Sequence, residues 1–81
     1  MPFRLADVSS VEFYKRDELT TDLICCEVAA GGVVHLSHEQ APNWAALIEA
    51  LYDLPGFDRD WFARVSQPPF AQARIIAFTT S

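Results

Sequence analysis

The fold is decided by residues 23–36, LICCEVAAGGVVHL, in which two runs of apolar and β-branched residues flank a Gly-Gly pair. Runs of this kind are typical of strands, and adjacent glycines favour a tight hairpin turn. We therefore predict a strand over Thr21 to Ala29, a turn at Gly31-Gly32 and a third strand over Val33 to Ser37.

The register of this hairpin follows from which side chains share a face, since a slip of one residue inverts a strand. A three-residue loop over residues 30–32 pairs Val28 with Val34, which makes one face apolar. It also sets Glu27 opposite His35 on the other face, which predicts a polar pair there. A two-residue turn at the glycine pair would place Val28 opposite His35 and mix the faces, so the three-residue loop is preferred.

Further strands are predicted on either side of the hairpin. Ser10 to Arg16 alternates between apolar and polar residues, which indicates a first strand. Pairing Phe13 of this strand with Ile24 is compatible with a tight turn at Glu18-Leu19. Ala73 to Thr80 is rich in apolar and β-branched residues and predicts the last strand.

Apolar residues recur at helical spacing between the third strand and the last. They are Trp44, Leu47, Ile48 and Leu51, at positions i, i+3, i+4 and i+7. This stripe predicts an amphipathic helix that ends before Pro55-Gly56. Asp58 can cap a short second helix that runs through Val65.

The element order β-β-β-α-α-β predicts an α+β fold. It is an antiparallel sheet of about four strands, with one long and one short helix packed on one face. The 81 residues contain no repeat or linker and are too few for two independent domains, so we expect one domain over residues 1–81. Hydrophobic residues make up 51% and aromatic residues 12%, which excludes disorder.

The charge of the chain narrows the classes of partner. The chain has six Lys and Arg and eleven Asp and Glu, which gives a net charge of −5. Nucleic-acid binding, in contrast, needs clustered basic residues. No apolar run approaches the ~20 residues that cross a bilayer, and no export signal is visible. A disulfide between the adjacent Cys25 and Cys26 would not crosslink a long loop, so the cysteine content fits a reducing compartment. We expect a cytoplasmic protein without nucleic-acid or membrane partners.

No group of residues predicts an enzyme, a metal ion or a cofactor. His35 and His38 are the only histidines, and their odd spacing sends them to opposite faces of a strand. A cysteine nucleophile beside His35 would lie on an open sheet without a pocket or an oxyanion site. The acidic group, defined as Asp53, Asp58 and Asp60, lacks the spacing of a calcium loop, so helix capping and solvation explain it.

Aromatic residues are concentrated near three prolines in the C-terminal third of the chain. They are Phe57, Trp61, Phe62 and Phe70. Most of them should belong to the core, but so small a domain can leave part of this set exposed. An exposed aromatic-proline patch would be a protein-interaction site.

Two segments carry a resemblance that spans nearly the whole chain. They are residues 11–24, VEFYKRDELTTDLI, and residues 54–70, from LPGF through QPPF. Together they resemble a group of small uncharacterised bacterial proteins. The resemblance implies a compact α+β domain without an established activity, and it transfers no catalytic residues. Residues 44–48, WAALI, are also similar to barstar-type ribonuclease inhibitors, but those have a parallel sheet, from which the Gly31-Gly32 hairpin departs.

Three functions are compatible with these observations. The leading hypothesis is a non-enzymatic, cytoplasmic protein-interaction module that binds a protein partner or a second copy of itself. The first alternative is an acidic inhibitor or immunity-type protein for a basic partner, which needs one exposed acidic patch. The second is a small-molecule binder or enzyme with a groove between helix and sheet, holding polar groups such as His35, Glu27 and Tyr14.

Overall fold

The computed structural model of the protein describes residues 3–17, 22–66 and 73–80. Four strands and two α-helices follow one another there in the predicted order. The elements are a 3₁₀ helix Leu5–Asp7, β1 Val8–Asp17, β2 Asp22–Ala30, β3 Val33–His38, α1 Trp44–Leu51, α2 Trp61–Ser66 and β4 Ala73–Thr79. The α+β class, the antiparallel sheet and the pairing of one longer with one shorter helix are confirmed.

The strands lie in the order β3-β2-β1-β4, and every neighbouring pair is antiparallel. β4 follows both helices in the chain and returns to pair with β1. The first two strands are therefore central. Among the strands that the structure describes, β3 and β4 form the two edges of the sheet.

The pairing of β1 with β2 places Phe13 opposite Cys26. The predicted pairing of Phe13 with Ile24 is wrong by two residues, because the two strands pair as far as Asp17 opposite Asp22. Side chains alternate with a period of two, so a shift of two residues leaves each one on its predicted face. The predicted turn at Glu18-Leu19 lies outside the described residues.

The pairing of β2 with β3 is that of a two-residue turn, and the predicted three-residue loop is wrong. Gly31 has φ +58° and Gly32 has φ +79°, which are the two positive angles of a type I′ turn. This turn matches the twist of the strands it joins, so the local backbone geometry overrides the apolar pattern. As a result His35 lies opposite Val28, and Leu36 lies opposite Glu27.

Both helices pack on one face of the sheet, which we call the covered face. It contributes Val11, Phe13 and Val28, all of them at most 1% exposed. Against these residues pack apolar side chains of both helices and of the segment between them, namely Leu47, Leu51, Leu54, Phe57, Trp61 and Val65. The opposite side of the sheet, the open face, faces away from this core.

One charged side chain is buried on the covered face. Lys15 is 3% exposed, and its Nζ donates a hydrogen bond to the carbonyl oxygen of Ser66 over 3.0 Å. Ser66 is the last residue of α2, where backbone carbonyls lack helical partners and the helix dipole favours a cation. Lys15 therefore fixes the end of α2 to the central strand β1.

Candidate interaction surfaces

The edge strand β3 exposes more apolar surface than any other strand described. Val33 is 54%, Val34 59% and Leu36 66% exposed. Val34 lies opposite Ala29 and Leu36 opposite Glu27, so these two side chains project from the open face. We call Val33–His38, with its unpaired outer side, the β3 edge.

Backbone hydrogen-bonding groups alternate along the β3 edge. The N–H of Glu39 donates a hydrogen bond to the carbonyl oxygen of Ile24 in β2 over 2.9 Å. In an antiparallel ladder, every second residue of a strand bonds to the same neighbouring strand. By this alternation the N–H and C=O groups of Val34 and Leu36 point outward, away from β2. In the part of the sheet that is described, no strand pairs with them.

The β3 edge lacks the usual devices that protect an edge strand from pairing. Natural edges carry charged residues, prolines or bulges. Val33–His38 contains no Asp, Glu, Lys, Arg or Pro. The other edge, β4, carries Arg74, and its pairing with β1 shifts register between Val11 and Glu12.

The centre of the open face holds an ion-pair network. The Nη2 atom of Arg74 lies 2.6 Å from Glu12 Oε2 and 2.5 Å from Glu27 Oε2. The same guanidinium lies 5.0 Å from the centroid of the Tyr14 ring. The hydrogen bond to Glu12, supported by that to Glu27, raises the pKa of Arg74. Sequence analysis missed this network, because it joins residues on three strands and spans 62 positions of the chain.

The predicted pair of Glu27 and His35 does not form. Glu27 binds Arg74 on the open face, whereas His35 lies opposite Val28 on the covered face. The His35 ring packs against Phe3, with ring centroids 4.9 Å apart. The two-residue turn is the cause, since it inverts β3 relative to the predicted register.

The described members of the aromatic set are divided between core and surface. Phe57 is 7% and Trp61 5% exposed, and both contact Phe13 in the core. Phe62 is 55% exposed. Phe70 lies outside the described residues. Phe57 and Trp61 therefore lie in the core, and Phe62 is the exposed member of the set among the described residues.

The acidic group is interleaved with arginines. Asp58 forms an ion pair with Arg64, and its Oδ1 accepts a hydrogen bond from the N–H of Asp60 over 2.9 Å. Arg59 donates to the Tyr52 carbonyl oxygen over 3.3 Å and lies over the Tyr52 ring. These contacts mix both signs of charge around Asp58, and they do not favour an acidic docking patch there.

A groove opens on the covered face between α1 and β3, with a volume of about 380 Å³. We call it the α1–β3 groove. Its walls include apolar side chains, Phe3, Val28, Ala46 and Leu47, and polar ones, His35, Ser37 and Asn43. The predicted helix–sheet groove thus holds His35, while Glu27 and Tyr14 lie on the open face.

A smaller hollow of about 220 Å³ lies on the open face around Tyr14, Leu23 and Cys25. Burial, with the neighbouring Cys25, raises the pKa of Tyr14. Cys25 and Cys26 are both buried and form no disulfide, and burial raises the pKa of Cys26 to about 12. The Cys26 thiol is therefore protonated at neutral pH and is a poor nucleophile.

Within ranges 3–17, 22–66 and 73–80, no three His, Cys, Asp or Glu side chains are grouped as metal ligands. None of the helices described is long and apolar enough to cross a membrane.

In comparisons with known proteins, the chain matches no protein family, no curated protein and no solved structure.

Proposed function

We propose that this chain is a non-enzymatic protein-interaction module that forms a homodimer by antiparallel pairing of two β3 edges. The observation that carries the proposal is the β3 edge itself, which combines outward-pointing backbone groups with exposed, uncharged side chains. An edge of this kind is a template for another strand.

Face alternation limits the register of such a pair. When the two-fold axis is perpendicular to the sheet, residues opposite each other must project from the same face. Centring the axis on His35 places Val34 opposite Leu36 of the second copy, and Leu36 opposite the second Val34. Their backbone groups point outward, so each such pair exchanges both N–H···O=C hydrogen bonds.

Charge also favours a second copy at this edge. The net charge of −5 makes most contacts between two copies repulsive. The β3 edge contributes no charged side chain, so pairing there brings no like charges together. The open-face carboxylates Glu12 and Glu27 are already paired with Arg74.

The expected dimer is transient. A six-residue edge offers less contact than the roughly 800 Å² per partner of a standard interface. The proposal includes a cytoplasmic location, supported by the two adjacent cysteines, which form no disulfide. It includes no nucleic-acid or membrane partner, supported by the excess of acidic residues.

Sedimentation equilibrium of the full chain, from micromolar to millimolar concentration, tests the proposal. Wild type should associate reversibly to a dimer. Val34→Lys should be monomeric, because each added lysine replaces an apolar contact between Val34 and Leu36 and brings two like charges onto the same face of the pair. Ile76→Lys is the matched control, since Ile76 is 55% exposed on the other edge strand. A wild-type chain that stays monomeric throughout this range contradicts the proposal, as does a Val34→Lys variant that dimerises like wild type.

A further inference from the structure

We propose that the α1–β3 groove binds an uncharged aromatic molecule of about two rings that carries a hydrogen-bonding group. The groove uses the covered-face side of β3, at His35 and Ser37, and not its outward-pointing backbone groups, so binding does not depend on dimer formation. Its support comes from the size of the groove, the chemistry of its walls and a buried hydroxyl group without a partner.

The size of the groove sets the size of the ligand. Its volume is about 380 Å³, within the range of small-molecule sites. An apolar cavity of about 150 Å³ is large enough to hold benzene. The α1–β3 groove therefore has room for a fused bicyclic molecule.

The walls select an uncharged and largely apolar ligand. Phe3 and His35 form a tilted ring pair at one side, and Val28 and Leu47 are buried at another. Among the described residues that line the groove there is no Asp, Glu, Lys or Arg. A charged ligand would lose hydration there without gaining an opposite charge.

Ser37 and Asn43 supply the polar contacts. The Ser37 Oγ atom is buried and has no hydrogen-bond partner among the described residues. An unsatisfied buried hydroxyl is costly, and a ligand group in the groove would supply the missing partner. Asn43 stands at the N-cap of α1, but its side chain makes no capping hydrogen bond. Asn43 also lines the same groove.

Binding of 2-naphthol to the ¹⁵N-labelled full chain tests this site, with naphthalene as the matched probe that lacks the hydroxyl. We expect saturable shifts of the amide signals of His35, Ser37, Asn43 and Ala46. Naphthalene should bind about fivefold more weakly, which is the effect of one net hydrogen bond. Ser37→Ala should remove the difference between the two probes and leave naphthalene binding unchanged.

A variant that fills the groove provides a second test of the site. Ala46→Trp should abolish binding of both probes, whereas Ala45→Trp, on an exposed neighbouring position outside the groove, should bind like wild type. Circular dichroism of both variants checks that the fold is retained. Absence of saturable shifts, or shifts that persist in Ala46→Trp, overturns the inference. The Val34→Lys monomer should still bind 2-naphthol, so failure of the dimer and failure of this site are distinguishable.

Discussion

The ring of Phe13 lies nearly parallel to the indole of Trp61, with ring centroids 4.0 Å apart and an interplanar angle of 13°. Trp44 and Phe57 each meet Phe13 edge-on at 6.2 Å. One side chain of the central strand β1 therefore contacts aromatic rings from α1, from α2 and from the segment between them. This cluster packs both helices against the covered face, so neither helix covers the open face.

Truncation of Phe13 should be among the most damaging single changes in the chain. Phe13→Ala leaves a cavity between the sheet and both helices and should cost about 3–5 kcal/mol of unfolding free energy. Urea denaturation followed by tryptophan fluorescence measures this loss. Phe62→Ala, an exposed position on α2, should change stability by less than about 0.5 kcal/mol. Equal losses in the two variants would contradict the aromatic cluster as the centre of the core.

A second prediction concerns the contribution of the Gly31-Gly32 turn to stability. Gly31 has φ +58°, where a β-branched side chain is strained, so Gly31→Val should cost about 1–2 kcal/mol. Apart from its two chain neighbours, no described residue has an atom within 4 Å of a Cβ added at Gly31, so this loss would come from the backbone and not from a clash. Gly31→Asn should retain wild-type stability, because Asn-Gly suits a type I′ turn. Thermal unfolding compares the variants, and a stable Gly31→Val would show that the turn is not of this type.

The same turn explains why the sequence predicts the strands and helices but not the register of β3. Apolar periodicity identified the strands and helices because burial acts on each segment separately. The register of β3 was wrong because Val34 and Leu36 are apolar but exposed, so they gave a misleading face pattern. The backbone geometry of two glycines, and not side-chain burial, determined that pairing.

The candidate surfaces were harder to predict than the elements. The network of Glu12, Glu27 and Arg74 depends on the pairing of β4 with β1, which only the folded sheet defines. The α1–β3 groove was expected between helix and sheet, but its lining follows the corrected position of His35. Sites formed across strands therefore require a register that local sequence patterns do not fix.

Lys15 should stabilise α2 through its amine rather than through its aliphatic stem. Lys15→Met keeps a stem of similar length but removes the donor to the Ser66 carbonyl oxygen, which should cost about 1–3 kcal/mol. Urea denaturation measures the change. Arg16→Met, at the next and exposed position, should cost less than about 1 kcal/mol. A Lys15→Met variant as stable as wild type would mean that the hydrogen bond to α2 contributes nothing.

Burial of Cys26 should make the fold sensitive to alkaline pH. Its pKa is about 12 in the folded chain, against 9.0 for an ordinary thiol. Below pH 9 the thiol is protonated in both states and stability does not change through it. Above pH 9 the unfolded chain releases this proton while the folded chain retains it, so the free energy of unfolding falls. The slope approaches about 1.4 kcal/mol per pH unit until the folded pKa is reached.

Urea denaturation at pH 8, 9 and 10 isolates this effect when wild type is compared with Cys26→Ala. Wild type should lose about 1 kcal/mol more than the variant between pH 9 and 10, because only wild type carries the buried thiol. Tyr14 and Cys25 are unchanged in the variant, so their own titrations cancel in the comparison. Parallel pH profiles would mean that the Cys26 thiolate is tolerated in the folded chain, contrary to its complete burial beneath the helices.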